Sequence, residues 1–128
     1  MFEKLQITAM AQSLASHAGS RMGLIAQNVA NADTPGFKAM DLPSCAEAYR
    51  AAEPDAMRQT RPGHLGGWDS QMLSAPRRSP GAEAPNGNSV SIEEEMVKAA
   101  GARQDHEMAL AIYRNTSDII RASLGRSR

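Results

Sequence analysis

All seven prolines of this 128-residue chain fall between Pro35 and Pro85. Proline has no backbone N–H and clashes with the preceding helical turn, so a long helix cannot run through that window. Long helices are therefore restricted to the two ends. Gly63, Gly66, Gly67, Gly81 and Gly87 fall in the same middle region, and the stretch from Ala75 to Asn88 has the composition of a linker. Three units follow: residues 1–39, a helix and the turn that stops it; 40–88, an irregular insert; and 89–128, a second helix. The expected fold is mainly α, with two long terminal helices forming an antiparallel coiled-coil-like hairpin and an irregular, partly flexible Pro/Gly-rich insert.

In the first unit, Thr8, Ala11, Ala15, Ala18, Met22, Ile25, Val29 and Ala32 recur at spacings of three and four. That spacing places them on one stripe of a helix, with Ala18, Met22, Ile25 and Val29 as its seam. Leu5, Leu14 and Leu24 widen the stripe. Gly19 and Gly23 each weaken an isolated helix by roughly 1 kcal/mol relative to alanine. Together with the alanines they predict close approach of a second helix.

The last unit opens with Ser91-Ile92-Glu93-Glu94, which reads as a capping box with Ser91 as N-cap and Glu94 three residues on. Glu93, Glu94 and Glu95 sit at the positive end of the helix dipole, and helix-start chemistry accounts for them. Ile92, Met96, Ala99, Arg103, His106, Leu110, Tyr113, Ser117, Ile120 and Leu124 then alternate at four and three. This is a heptad seam carried by Met96, Leu110, Tyr113, Ile120 and Leu124 and interrupted by polar residues. Val97, Ala100, Ile112 and Ile119 form a second stripe, which suits contact with more than one neighbour. Gly125 ends the helix, and Arg126 and Arg128 complement its negative end.

Within the insert, a short helix is expected around Ala46 to Ala52, stopped by Pro54. Gln71-Met72-Leu73 allows a short extended piece, and Trp68 is the one large aromatic available to anchor a patch or meet a partner.

Little here suggests chemistry. Fourteen basic residues balance fourteen acidic ones, without the basic excess of a nucleic-acid binder. The single Cys45 forms no internal disulfide, and His17, His64 and His106 are far apart and outside any metal-binding frame. No phosphate-binding glycine loop or nucleophile elbow occurs. We expect no enzyme activity, no catalytic residues, no metal or other cofactor, no nucleic acid and no small-molecule substrate. Residues 1–11 lack the apolar core of a secretory signal, and no run approaches the ~20 apolar residues of a membrane span.

The two helices are separated by the stretch Asn28-Val29-Ala30-Asn31-Ala32-Asp33-Thr34-Pro35-Gly36-Phe37-Lys38-Ala39. Helical spacing persists to Ala32. Pro35 then turns Thr34 away from the helical region, and Pro35-Gly36 suits a type II turn with positive φ at glycine. Asp33 and Thr34 can hold the bend through nearby backbone groups. This stretch closely resembles the N-terminal signature of flagellar basal-body rod proteins, Asn-Ile-Ala-Asn-Ala-(Asn/Asp)-Thr-Pro-Gly-Tyr-Lys-Ala. Val29 and Phe37 are mild departures, and Asp33 with Lys38-Ala39-Met40-Asp41 is most similar to the proximal-rod subtype. Asn88-Ser89-Val90-Ser91-Ile92-Glu93-Glu94-Glu95-Met96 resembles the opening of that family's final helix. The ending Ser123-Leu124-Gly125-Arg126 is closer to a neighbouring rod subtype.

The resemblance covers residues 1–42 and 86–126 and implies a structural subunit of the hollow periplasmic rod. Terminal helices would pack into the tube, and the subunit would leave the cell through the flagellum's own export apparatus without a cleaved signal. Its implied partners are copies of itself, other rod proteins, the junction with the membrane ring and the export gate. Asn28, Asn31, Asp33, Thr34, Pro35, Gly36, Phe37, Lys38 and Asp41 would form the signature region at subunit contacts. Another rod subtype, or a cytosolic helical adaptor or export chaperone, are the alternatives.

Overall fold

The computed structural model describes residues 2–51 and 75–125. Most of these residues belong to two helices, α1 (Phe2–Ala30) and α3 (Ile92–Leu124). At about 1.5 Å per residue they are ~43 and ~50 Å long. The two pack against each other and run antiparallel. Asn28 meets Glu95 at one end, while Ala11 and Ile112 line a common recess toward the other. Between them lie β1 (Met40–Asp41), the short helix α2 (Cys45–Ala51) and β2 (Arg77–Arg78). The strands pair antiparallel, Met40 opposite Arg78 and Asp41 opposite Arg77, and β1 rests on α1.

Local chemistry accounts for the helix ends. Ser91 is extended, and its hydroxyl accepts the Glu94 N–H at 3.4 Å. The hydroxyl in turn donates to the Glu93 carboxylate at 3.0 Å, and the return half of the expected capping box, the Ser91 N–H donating to the Glu94 carboxylate, is not made among the described residues. A complete reciprocal box opens α2 instead. The Ser44 hydroxyl accepts the Glu47 N–H, and the Glu47 carboxylate accepts the Ser44 N–H, each at 3.2 Å. The Gly125 N–H closes α3 on the Arg121 carbonyl at 3.0 Å.

The contact between the helices is built from small residues. Ala11, Ala18 and Ile25 are buried on α1, and Glu95, Ala102, Ala109 and Thr116 on α3, at intervals of seven. On α1 this matches the apolar stripe read from the sequence until its end, where Asn28 is buried and Val29 is exposed. On α3 the buried line runs one residue ahead of the apolar stripe. Met96 is 67% exposed and Leu124 73%; Tyr113 is also exposed, whereas Leu110 and Ile120, like Met22 on α1, are half-buried. Alanine explains the displacement. Ala102 and Ala109 let the backbones come close, so more atoms meet at dispersion distance than bulky side chains at the seam would allow. The glycines do not contribute to this approach, since a Cβ added at Gly19 or Gly23 would meet nothing within 4 Å. Thr116 enters the seam with its hydroxyl satisfied by the Ile112 carbonyl at 2.8 Å.

Residues 75–88, whose composition reads as a linker, instead supply β2 and a chain of backbone hydrogen bonds to the signature turn. Trp68, Gln71-Met72-Leu73 and the rest of residues 52–74 lie outside the described residues. No described helix is long and apolar enough to cross a membrane.

Candidate functional site

The signature stretch closes α1 with its own atoms first. Asn31 donates its amide to the Gln27 carbonyl at 2.8 Å and accepts the Thr34 hydroxyl at 3.2 Å. The Phe37 N–H reaches the Thr34 carbonyl at 3.3 Å, and Gly36 has φ +73°. This is the type II turn expected of Pro35-Gly36. Asp33, Thr34, Pro35 and Gly36 are exposed at its tip, and Phe37 and Lys38 are half-buried.

After the turn the chain runs back as an extended ribbon fastened on both sides. On one side, the Gly36 N–H donates to the Asn86 carbonyl and the Ser89 N–H to the Phe37 carbonyl, at 3.0 and 3.1 Å. The Ala39 N–H donates to the Ser89 hydroxyl at 3.0 Å, and Lys38 donates to the Gly87 carbonyl at 3.0 Å while pairing with Glu83. On the other side, the Ser79 N–H donates to the Ala39 carbonyl at 2.8 Å. A Cβ on Gly87, itself at φ +78°, would stand 3.5 Å from the Gly36 Cα, so the two glycine turns lie against each other.

Three buried polar side chains lock this ribbon to the helices. Asn28, 1% exposed, mimics a strand neighbour for Met40. Its amide donates to the Met40 carbonyl at 2.7 Å, and its oxygen accepts the Met40 N–H at 3.1 Å. The same amide nitrogen donates to Glu95 Oε2 at 3.0 Å. Glu95, also 1% exposed, accepts Lys98 Nζ on Oε1 at 2.8 Å, and Lys98 donates to the Ser79 hydroxyl at 3.0 Å. Asn88 caps α1 from the far end of the chain. Its amide faces the carbonyls of Asn31, Ala32 and Thr34 at 2.7–3.0 Å, and its oxygen accepts the Val90 N–H at 2.8 Å. These carbonyls belong to the turn that follows α1; those of Asn31 and Thr34 also accept the Thr34 and Phe37 N–H groups, so the Ala32 carbonyl depends on Asn88.

An ion pair completes the joint. The Arg21 guanidinium donates twice to the Asp41 carboxylate, both at 2.9 Å, and Lys98 stands 4.0 Å from the same carboxylate. The two-pronged geometry suits arginine and carboxylate. Burial pushes the Asp41 pKa up, but the Arg21 hydrogen bonds and charge outweigh it and hold the carboxyl below its ordinary 3.8. Stability from this pair is therefore present above pH 3.8 and lost as pH falls through the depressed pKa of the folded state. The expected result is that Asp41→Asn removes part of the loss of stability below pH 4 while lowering stability at neutral pH. Urea midpoints of both chains at several pH values check this, and parallel acid limbs would contradict it.

A second result concerns Gly36. A Cβ there meets nothing within 4 Å, so substitution meets only the cost of its positive φ. Gly36→Val should lower stability by about 1–3 kcal/mol, and Gly36→Asn by less, because asparagine tolerates this region. Thermal unfolding of the two variants checks the ordering. If the turn also governs assembly, Gly36→Val cells will lose rods and swimming; normal rods and motility would contradict that part.

The sequence motifs thus meet in space. Asn28, Asn31, Thr34, Gly36, Phe37, Lys38 and Asp41 all join hydrogen bonds or ion pairs within the chain, while Asp33 and Pro35 stand at the tip. The reading of isolated motifs passed over Arg21, Ser79, Ser89, Asn88, Glu95 and Lys98 as parts of this joint. One signal was present in the sequence: Glu95 stands seven residues before Ala102 and fourteen before Ala109, on the face that packs. Among the described residues, no group of three His, Cys, Asp or Glu side chains is placed to hold a metal ion.

Comparison with known proteins agrees with this geometry. The sequence profile described as flagella basal body rod protein matches residues 8–38, from the seam of α1 through the turn to Lys38. The flagellar basal body rod protein FlgB of Cereibacter sphaeroides (strain ATCC 17029 / ATH 2.4.9) is 31% identical over 108 residues, covering 83% of this chain and 84% of that protein. The chain belongs to the flagellar basal body rod proteins. The FlgB of Agrobacterium fabrum (strain C58 / ATCC 33970) is 29% identical over 119 residues, 88% of each chain. Both alignments reach well beyond the signature, so this rod protein is FlgB-like over most of its length. Its place among structural proteins of the flagellar basal body follows from that membership.

Proposed function

We propose that this FlgB-like protein is a subunit of the proximal rod, assembling with copies of itself and other rod proteins into the hollow shaft that crosses the periplasm. The shaft transmits torque and conducts export substrates, and the subunit arrives by the flagellar export route without a cleaved signal peptide. The rod meets the membrane-ring junction and the export gate at its base. One observation carries this reading beyond family membership: the long helix pair keeps large apolar side chains on its outside. Met96, Leu124, Val97 and Ile119 are mostly exposed, and Tyr113 is exposed over nearly half its surface. Apolar surface left open on a narrow two-helix body gains free energy when neighbouring subunits cover it. The joint serves the same end, because fixing where the ribbon leaves the helix pair presents one surface to each neighbour. The signature residues are proposed to act at subunit contacts through this fixed turn, with Asp33 and Pro35 at its exposed tip.

Deletion of the gene, scored by swimming and by electron microscopy of basal bodies, tests the reading. The expected cells are non-motile, keep the membrane ring, lack a rod, and recover with the intact chain. Motile cells with complete basal bodies would overturn it.

A further inference from the structure

The joint contains the chain's one Asn-Gly pair, Asn86-Gly87; the other asparagines precede Val29, Ala32, Ser89 and Thr116. A glycine after asparagine puts no side chain in the way of its own backbone nitrogen, so that nitrogen reaches the asparagine Cγ most easily. The structure places the pair in a tight turn. The Gly87 N–H donates to the Ala84 carbonyl at 2.8 Å, with Pro85 and Asn86 at the two central positions. No residue other than glycine has positive φ among those described, and Gly87 has φ +78°, so this is a type I turn that ends on a left-handed glycine. Asn86 is exposed, and water reaches its side chain. The peptide plane between the two residues is nevertheless held on both edges. Its N–H is bonded to Ala84, and its carbonyl accepts the Gly36 N–H at 3.0 Å. Asn86 Oδ1 is engaged as well, by the Asn88 N–H at 3.0 Å.

We propose that Asn86 is a site of spontaneous deamidation gated by the joint, and that its isoaspartyl product keeps the joint open. The Gly87 nitrogen gives up its proton and attacks Asn86 Cγ. The new N–Cγ bond closes a five-membered succinimide, the Cγ–Nδ2 bond breaks, and the amide leaves as ammonia with that proton. Water then opens the ring. Attack at Cγ breaks the N–Cγ bond and leaves aspartate. Attack at the former main-chain carbonyl carbon breaks its bond to nitrogen and leaves isoaspartate, in which Cγ carries the chain on to Gly87. Water is the sole co-reactant, and nothing is oxidised or reduced. In the closed joint, the proton that must leave is shared with Ala84, and the plane that must turn toward Cγ is pinned by Gly36. Reaction therefore requires local opening. The isoaspartyl chain is one methylene longer between residues 86 and 87, and the carbonyl that served Gly36 becomes a carboxylate on a branch. Gly87, whose added Cβ would stand 3.5 Å from the Gly36 Cα, and Asn88, which holds the turn after α1, are displaced together. A chain that opens is thus converted into one that does not close again.

None of this depends on assembly, so the test uses the free full-length chain and its outcome is separate from that of the rod reading. The purified protein is incubated at mildly alkaline pH, where amides lose protons faster, both folded and in urea. The tryptic peptide of residues 79–98 is followed by mass spectrometry, with fragmentation that distinguishes aspartate from isoaspartate. Conversion at Asn86 is expected to be about tenfold or more faster in urea than in the folded chain, the ratio that local opening allows. Urea below the unfolding midpoint should speed conversion before helix content falls, and Asn86→Gln, which would need a larger ring, should show none in the same time. Equal rates folded and in urea overturn the gating. No conversion at Asn86 in urea overturns the site itself. The isoaspartyl chain carries one more negative charge, so ion exchange separates it for refolding. Hydrogen exchange at the Gly36 and Val90 amides should then be faster than in the unmodified chain, with Ala102 and Ala109 still slow. Unchanged exchange at Gly36 and Val90 overturns the claim that the product holds the joint open.

Discussion

Replacing Asn28 with aspartate will open the joint at neutral pH and cost the chain about 3–5 kcal/mol, the scale of an uncompensated buried charge. The amide nitrogen at this position donates to the Met40 carbonyl and to the Glu95 carboxylate. Aspartate puts an ionised oxygen where both neighbours are acceptors, one of them already negative. No side chain in the joint can donate in its place, because Lys98 is engaged by Glu95 and Ser79 and Arg21 by Asp41. Asn28→Ala is milder at ~1–3 kcal/mol, since it orphans the Met40 groups without adding charge. For a domain of ordinary marginal stability, the first loss is a large share of the total. Thermal unfolding by circular dichroism should rank natural sequence above Asn28→Ala above Asn28→Asp. It should also show Asn28→Asp recovering in part as acid protonates the new carboxyl. Equal midpoints for all three chains would remove Asn28 from the account of the fold.

Asn88→Ala carries the second largest effect, about 2–4 kcal/mol. From a buried position the side chain satisfies the Ala32 carbonyl and the Val90 N–H and gives the Asn31 and Thr34 carbonyls of the turn a second donor. Its removal leaves more than one backbone group without a partner, at roughly 1–3 kcal/mol for each one that water cannot reach. The change is also directional. Hydrogen exchange should speed at the last turn of α1 and at Val90, while amides at the middle of the helix contact, near Ala102 and Ala109, stay slow. Uniform acceleration along both helices would instead mean that Asn88 supports global stability and has no special hold on the turn. Asn88→Asp separates capping from packing: it keeps the shape and the acceptor for Val90 but turns the donor into a second acceptor, and it should be at least as damaging as alanine.

Both predictions rest on residues that pattern reading handled unequally. Pro35, Gly36, Asn31 and Thr34 act on near neighbours, so the helix stop and the positive φ at Gly36 were legible from spacing alone. Ser91 as N-cap, the short helix at Cys45–Ala51 and the alanine face of α1 were legible for the same reason. The seam of α3 was not. Periodicity counts apolar residues, and on α3 the largest ones face outward while Ala102, Ala109, Thr116 and a carboxylate face in. A one-residue displacement along a helix changes facing by about 100°, so a stripe chosen by size selected the wrong side for the contact with α1. Glu95 had a sufficient local explanation as a helix-start acid, and nothing nearby in sequence shows that Asn28 and Lys98 await it.

The sequence by itself determined that this chain is two helical ends around a proline-bearing middle, where each helix starts and stops, and which family it resembles. Those features follow from backbone sterics and from hydrogen bonds spanning a few residues, which composition and spacing encode directly. Only the tertiary structure decided which face of α3 meets α1, that residues 77–89 close over the turn instead of hanging as a linker, and that Asn28, Asn88 and Glu95 bind one another's segments. Those outcomes depend on partners 36 to 67 residues away. A buried amide or carboxylate becomes favourable only once its distant partner arrives, so the free energy that selects it belongs to the assembled joint and to no single stretch of the chain.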